Sequence, residues 1–310
     1  MRVQVGRLLT GVVVTVAVAV PGTAQAKQFS GWSEVEPVSN VNAPGVADGC
    51  PIESPDGLSL FIASTRGPGG DNDIWVADRS DESADFGSPT MLPGPVNSDA
   101  EDFCPTPLHG NYLLFVSSRG GTDAYGTAAC GGGDIYLTRR SPATGTWQAP
   151  MNLGCAPDGP NGPGTEYGPS LVETPAGTQL FFSSGGPLGG GTQDIYASRR
   201  QADGSFGERE PVAELNSTAD DVMPNVSRNG REVVFASTRP GGQGAFDVYA
   251  STRGSVFDEW STPVNLGTAI NTPAAQTRPS LSWDGERLYF GSAGDIFVSH
   301  RTKDNGPKAG

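Results

Sequence analysis

Residues 51–66 read Pro-Ile-Glu-Ser-Pro-Asp-Gly-Leu-Ser-Leu-Phe-Ile-Ala-Ser-Thr-Arg, and this stretch decides the fold of the chain. A proline opens it, a Pro-Asp-Gly turn follows, and an apolar run ends on a serine. Proline presets φ and glycine accepts φ > 0, so the centre of the stretch predicts a tight turn between two strands. The apolar run after the turn is typical of a strand packed between sheets.

The same pattern is written five times along the chain. Each copy continues with an aspartate that opens Asp-Ile/Val-aromatic and, six residues later, an arginine. Successive copies are 54, 64, 55 and 55 residues apart. A period of this length, filled with short strands and glycine-rich turns, is the signature of propeller blades. The copies begin at Pro51, Pro105, Pro169, Pro224 and Pro279.

A fourth strand, marked by an aromatic residue followed by proline, completes each blade except the last. The last copy stops after its third strand, while residues 32–42 carry a spare fourth-strand pattern ahead of the first blade. We therefore predict an all-β fold: a single closed five-bladed β-propeller with four antiparallel strands per blade. Residues 32–42 should pair with the third strand of the last blade, near 296–299, because ring closure removes exposed sheet edges.

The succession of Pro-x-x-Ser-Pro-Asp-Gly, a strand ending in Ser-x-Arg, and Asp-Ile-Trp resembles the WD40-like repeat of TolB-type β-propellers. Residues 51–66 and 224–239 are the copies most similar to it, and the resemblance covers 32–301. It implies a propeller used for binding or scaffolding and specifies no reaction. The chain differs from TolB in having five copies and no recognisable N-terminal α/β domain, so roles particular to TolB are not carried over.

The first 26 residues have the pattern of a secretory signal peptide. Arg2 and Arg7 precede an apolar run over 8–20, and Ala24-Gln25-Ala26 provides a small-residue cleavage site. We expect residues 27–310 to form one exported domain, secreted or periplasmic, with a flexible tail at 303–310. No other segment is long and apolar enough to span a membrane, and we expect a monomer.

The net charge of −14 narrows the choice of partner. An acidic surface repels phosphate backbones, which argues against a nucleic-acid partner. It is compatible with a protein or carbohydrate ligand, or with a cation. We expect no cofactor; the one candidate for calcium is the generic Asp71-Asn72-Asp73 segment.

Four cysteines in an exported chain suggest disulfides. Cys130 lies in the long insertion of the second blade and Cys155 in the linker that leaves it, so we predict a Cys130–Cys155 bond. Cys50 and Cys104 occupy the same position in neighbouring blades, directly before the opening proline. They either pair across the channel or remain buried thiols.

We predict that recognition uses the face formed by the blade linkers and the loops between second and third strands, because these loops vary most in length. An acid stands three residues before the proline in four blades, and a glutamine does so in the fifth. Two interpretations remain open: a carboxylate ring for a cation or sugar, or acids that each hold their own linker. The predicted ligand-binding residues are Asp48, Asp102, Glu166 and Asp221, with the non-repeating Phe103, Tyr167, Met223 and Arg278.

The sequence favours a binding module over an enzyme. The two histidines, His109 and His300, have no neighbours that would make a zinc site or a Ser-His-Asp triad. The alternative is an extracellular glycan hydrolase that uses channel carboxylates, which would need two carboxyl groups roughly 5–9.5 Å apart.

Overall fold

The computed structural model describes residues 29–186 and 192–303. Within these ranges the chain forms five four-stranded antiparallel sheets and one short 3-10 turn, at His109–Asn111. The predicted signal peptide and most of the predicted tail lie outside the described residues. No helix in the described part is long and apolar enough to cross a membrane.

The strands follow the order that the repeats predict. One strand precedes the first blade: β1 (Glu36–Pro37). Blade 1 contains β2 (Asp48–Glu53), β3 (Ser59–Ser64), β4 (Asp73–Asp78) and β5 (Thr90–Met91). Blade 2 contains β6 (Asp102–Leu108), β7 (Tyr112–Ser117), β8 (Asp134–Arg139) and β9 (Met151–Asn152). Blade 3 contains β10 (Thr165–Thr174), β11 (Gly177–Gly185), β12 (Gln193–Arg200) and β13 (Phe206–Pro211). Blade 4 contains β14 (Asp221–Val226), β15 (Glu232–Ser237), β16 (Asp247–Thr252) and β17 (Val264–Asn265). Blade 5 contains β18 (Gln276–Leu281), β19 (Arg287–Ser292) and β20 (Asp295–His300), and β1 completes it.

The two ends of the chain close the ring, and the predicted fold is confirmed. In the antiparallel pair of β1 with β20, Glu36 lies opposite Val298 and Pro37 opposite Phe297. The backbone N–H of Val38 donates to the carbonyl of Ile296 at 3.0 Å, which extends the pairing. The last blade therefore has no free edge on its third strand, as the sequence predicts.

The hydrophobic core is divided among the contacts between neighbouring blades. Between blades 5 and 1, for example, Leu60 and Ile62 pack with Tyr289 and Val298. Leu60, Ile62 and Tyr289 come from the continuous apolar second strands, which are covered on both faces and need no polar alternation, and Val298 comes from the third strand β20. Each interface between neighbouring blades therefore contributes its own part of the hydrophobic core.

The repeated arginine after the third strand holds three of the blades together. In blades 1, 4 and 5 its Nε donates to the carbonyl of the turn glycine, and its guanidinium stacks on the aromatic residue that precedes the fourth strand. The pairs are Arg79–Phe86 at 4.3 Å, Arg253–Trp260 at 4.1 Å and Arg301–Trp32 at 4.3 Å. Such stacked, hydrogen-bonded guanidiniums are structural, which explains their recurrence.

Blades 2 and 3 depart from this arrangement. Arg140 and Arg200 are exposed, and each donates to a carbonyl of its own outer loop, Gly145 at 2.8 Å and Gly204 at 3.3 Å. In the described structure, the Nε of neither arginine donates to the turn glycine of its own blade, as the Nε of the repeated arginine does in blades 1, 4 and 5. Blades 2 and 3 are also separated by an opening, which forms part of the cavity described below.

Candidate functional site: the central channel

Two faces of the propeller need names. The linker face carries the blade linkers and the loops between second and third strands. The turn face carries the turns between first and second strands. The first strands β2, β6, β10, β14 and β18, here called the inner strands, run from the linker face to the turn face around the channel.

A backbone irregularity at the same place in every inner strand narrows the channel. The residue before each opening proline has a positive φ, and the pairing of the strand shifts there. In blade 3 this residue must be glycine, because a Cβ on Gly168 would lie 2.6 Å from the Cα of Met223. The five residues are Cys50, Cys104, Gly168, Met223 and Arg278.

The channel is crossed by a disulfide between Cys50 and Cys104, whose Cα atoms are 4.9 Å apart. The structure thus pairs these two cysteines and does not leave them as thiols. The predicted Cys130–Cys155 disulfide is also present, with a Cα–Cα distance of 5.4 Å. All four cysteines are therefore bonded.

Arg278 is fully buried at the centre of the ring. Its guanidinium donates to the carbonyls of Pro224 at 3.2 Å and Pro169 at 3.1 Å, and to Thr106 Oγ1 at 2.9 Å. Its Nε has no hydrogen-bond partner among the described residues. Burial lowers the pKa of Arg278 to about 9. The described residues give this cation neutral oxygens and no carboxylate.

The predicted carboxylate ring consists of buried ion pairs. Asp102 is completely buried; it accepts hydrogen bonds from Ser98 in its own linker and pairs with Arg119 at 2.6 Å. Asp48 pairs in the same way with Arg66 at 2.6 Å, and Asp221 pairs with Arg239. This geometry favours the second interpretation given above, in which each acid holds its own linker.

Blades 3 and 5 lack the arginine that pairs with the acid in the other three blades. Blade 3 has no arginine after its repeated serine, and Glu166 is instead reached by Arg209 at 3.3 Å, from the outer strand β13. Burial raises the pKa of Glu166 to about 7. Blade 5 also lacks the arginine, and there the neutral Gln276 bonds Thr272 of its linker. An acid therefore occurs only where an arginine reaches it.

The predicted aromatic residues do not line an open site on the linker face. The rings of Phe103 and Tyr167 pack on each other with centroids 5.7 Å apart, and both side chains are half-buried. Met223 is buried against Tyr167. The structure brings Met223 and Arg278 together at the channel but assigns the two aromatic rings to packing between blades 2 and 3.

A cavity in the described structure is lined by turn-face residues of several blades, opposite the face that the loop lengths favour, and between blades 2 and 3 it reaches Thr127, Cys155 and Asp158 of the linker face. Its volume is about 1070 Å³. The turn-face ends of all five inner strands contribute to its wall, through Ile52, Thr106, Ser170, Asn225 and Leu281. We call this cavity the funnel; it extends outward between blades 2 and 3.

The mouth of the funnel is asymmetric. Four of its residues occupy the position four after the opening proline and differ in every blade: His109, Glu173, Arg228 and Trp283. The His109 ring meets the Trp283 ring edge-on at 4.7 Å, and the Arg228 guanidinium lies 5.2 Å from the centroid of the Trp283 ring. Trp283 is 37% exposed. An exposed indole held between two cationic or polar side chains is a typical binding surface.

The carboxylates that reach the funnel are of two kinds: one is buried among ion pairs and three are exposed. Glu53 is buried, pairs with Arg79 at 3.1 Å and Arg287 at 2.8 Å, and accepts from the Tyr289 hydroxyl at 2.7 Å. Asp158, Glu173 and Asp203 are exposed and belong to the part near blades 2 and 3.

In the described part of the chain, His, Cys, Asp and Glu side chains form no group of three or more that could hold a metal ion. At the calcium candidate, burial and the neighbouring acids Asp71, Asp102 and Glu101 raise the pKa of Asp73 to about 6.

Comparison with known proteins supports the fold and leaves the activity open. No family model and no curated protein matches the chain. An endo-arabinase from Bacteroides thetaiotaomicron VPI-5482 is similar in structure, with a TM-score of 0.55 at 13% identity, over 89% of this chain and 99% of that one. A thermostable family-43 glycoside hydrolase gives a TM-score of 0.53 at 13% identity, over 88% and 98%. A putative TolB from Agrobacterium tumefaciens gives 0.46 at 16% identity, over 86% and 78%. The likeness to the endo-arabinase and the family-43 glycoside hydrolase shows a shared propeller fold only.

Proposed function

We propose that the chain is an exported binding module whose ligand enters the funnel from the turn face. The observation that carries this proposal is the asymmetric mouth of the funnel, where His109, Arg228 and Trp283 form one cluster above a cavity of about 1070 Å³. Ligand sites are typically concave, with a few polar groups placed among apolar walls. An exposed indole stacks well on the apolar face of a sugar, so a carbohydrate is the first ligand class to test.

The placement of the carboxylates supports binding without cleavage. A glycosidase needs one carboxyl group that donates a proton and a second that acts as base or nucleophile. Glu53 accepts hydrogen bonds from two guanidiniums and a phenol, so both of its carboxyl oxygens are occupied and neither is free for these roles. The linker-face acids are covered by arginines.

The second candidate is a glycan hydrolase, and one specific observation favours it. Glu173 and Asp203, both exposed, share the wall of the funnel near blades 2 and 3. Solved propellers with a similar fold include an endo-arabinase and a family-43 glycoside hydrolase. Under this alternative, Glu173→Gln or Asp203→Asn would abolish turnover while the fold stays intact.

A glycan array read for both binding and cleavage tests the proposal. Wild-type protein and Trp283→Ala are compared, with Phe257→Ala as the matched control, because Phe257 is an exposed aromatic outside the funnel. We expect binding that is lost in Trp283→Ala and kept in Phe257→Ala, with no change in the mass of the glycan. Cleavage that depends on Glu173 or Asp203 would replace this proposal with the hydrolase alternative.

A further inference from the structure

The floor of the funnel presents hydrogen-bond donors to the cavity. Asn225 lines the funnel and its Oδ1 accepts from the backbone N–H of Leu281 at 2.9 Å, so its amide group is fixed in orientation. The Nδ2 of Asn225 donates to no residue that the structure describes, although the side chain is only 6% exposed. Two N–H donors therefore remain for a ligand.

Ser170 has a similar arrangement one blade earlier. Ser170 lines the funnel, and its Oγ accepts from the backbone N–H of Val226 at 3.0 Å. Its hydroxyl proton has no acceptor within the described ranges, and the residue is buried. Thr106 differs, since its hydroxyl already donates to the carbonyl of Pro169 at 2.5 Å.

Positive charge lies directly behind this floor. The Nη2 of Arg278 is 2.9 Å from Thr106 Oγ1, and Thr106 lines the funnel. The guanidinium is fully buried and makes no ion pair with a described residue, and its Nε donates to nothing described. A buried cation without a counter-ion is costly, and structures commonly pair such charges.

We propose that the floor of the funnel is an anion subsite, formed by Asn225 and Ser170 with Arg278 behind them, that takes a carboxylate or phosphate group of the ligand. Free N–H and O–H donors together with a cation suit an anionic oxygen better than a neutral hydroxyl. This inference rests on the proposed function, because it assumes that the funnel is the binding site.

The depth of the funnel suggests how such a ligand lies. Trp283, in the turn at the mouth, follows Ser280 of the inner strand β18 by three residues, so the two lie at most about 10 Å apart. A disaccharide is long enough to place one ring on Trp283 and an acidic group at the floor. The subsite thus selects acidic sugars over neutral ones, and the acidic residue enters first.

Isothermal titration with matched disaccharides tests the subsite. The probes are digalacturonate and the neutral galactobiose with the same linkage; galactose 6-phosphate and inorganic phosphate are further arms that distinguish a carboxylate from a phosphate. We expect wild-type protein to bind one of the acidic sugars about tenfold or more tightly than galactobiose, because hydrogen bonds to a charged group are stronger than neutral ones.

Asn225→Asp is the decisive variant. It keeps an acceptor for Leu281 N–H but replaces the free amide donors by a carboxylate, so the acidic sugar should lose at least tenfold in affinity while galactobiose binds unchanged. Asn229→Asp is the matched control: it introduces the same charge in the same blade, at a turn position where blades 1 and 5 carry Asp56 and Asp284. It should leave both affinities within about twofold, since exposed charges are screened.

The outcomes separate the subsite from the proposed function. Equal binding of acidic and neutral probes by wild type, or equal effects of Asn225→Asp and Asn229→Asp, would overturn the anion subsite and leave the funnel as a binding site. Binding of acidic probes that survives in Trp283→Ala and in Asn225→Asp would place the ligand elsewhere and overturn both. Arg278→Met adds a second test: it should abolish the preference for the acidic probe, whereas Arg278→Lys should retain part of it.

Discussion

The ion pair between Asp102 and Arg119 allows a quantitative test of how the propeller is held together. The carboxylate of Asp102 accepts three hydrogen bonds, from Ser98 N at 2.7 Å, Ser98 Oγ at 2.8 Å and Arg119 Nη2 at 2.6 Å. The side chain of Asp102 is 0% exposed, whereas that of Arg119 is 19% exposed. The two partners should therefore differ in what their removal costs.

Removing one partner of a buried pair costs about 3–5 kcal/mol, because the other charge is left without compensation. In Asp102→Ala the remaining Arg119 is partly solvated and keeps its bonds to the carbonyls of Pro95 and Val96, so we expect the lower end, about 3 kcal/mol. In Arg119→Ala the remaining carboxylate has no access to water, so we expect the upper end, about 5 kcal/mol. The double variant should lose less than the sum of the two.

Urea unfolding followed by tryptophan fluorescence measures these differences, and ligand binding is measured alongside. Two outcomes would contradict a structural role for this ion pair. One is a loss below about 1 kcal/mol in both single variants, the range of an exposed pair. The other is a loss of ligand binding in Asp102→Ala at unchanged stability, which would restore the carboxylate ring as a ligand site. A replacement of both residues that copies blade 5, Asp102→Gln with Arg119→Ala, should recover part of the loss.

Four further predictions address other parts of the molecule. The pKa of Glu166 is raised to about 7 from an ordinary value near 4.5, so its contribution to stability is full below pH 4.5 and is lost as pH rises through 7. Glu166→Gln should therefore remove about 3 kcal/mol of the change in unfolding free energy between pH 4.5 and 8, measured by unfolding experiments across that range. Deletion of residues 27–42 should expose the edge of β20 and cause aggregation, detected by light scattering; a monomeric, cooperatively unfolding product would contradict the closure. Replacement of Cys130 and Cys155 by serine should cost about 3 kcal/mol, because the bond closes a segment of 25 residues, and an unchanged urea midpoint would argue against it. Because burial lowers the pKa of Arg278 to about 9, affinity for an acidic probe should fall as pH rises above 9 while affinity for the neutral probe stays level.

The fold could be predicted from the sequence because every blade repeats the same local chemistry. A proline, a turn glycine and an apolar run at constant spacing fix strand after strand, and the spare strand at 32–42 fixes the closure. The pairing of β1 with β20 follows from counting strands. The structure gives the repeated arginine after the third strand a supporting role in blades 1, 4 and 5, but not in blades 2 and 3.

The site was harder to predict, because it depends on contacts between blades that are far apart in sequence. The acids looked like a ring of ligands, yet each one is covered by an arginine 17 or more residues away. One signal was available in the sequence: the acid is aspartate in the three blades where Ser-x-Arg follows, whereas the two blades without that arginine carry Glu166 and Gln276. Variable loop length pointed to the linker face, but the channel there is closed by Cys50–Cys104 and Arg278, a blockage that becomes visible only in three dimensions.

A crystal structure of the chain soaked with the best ligand from the glycan array would show where the ligand binds. We expect an intact ligand in the funnel, with one ring against Trp283 and its inner end toward Asn225. A ligand bound on the linker face beside Asp48 or Asp102, or a cleaved product beside Glu173 and Asp203, would contradict this expectation.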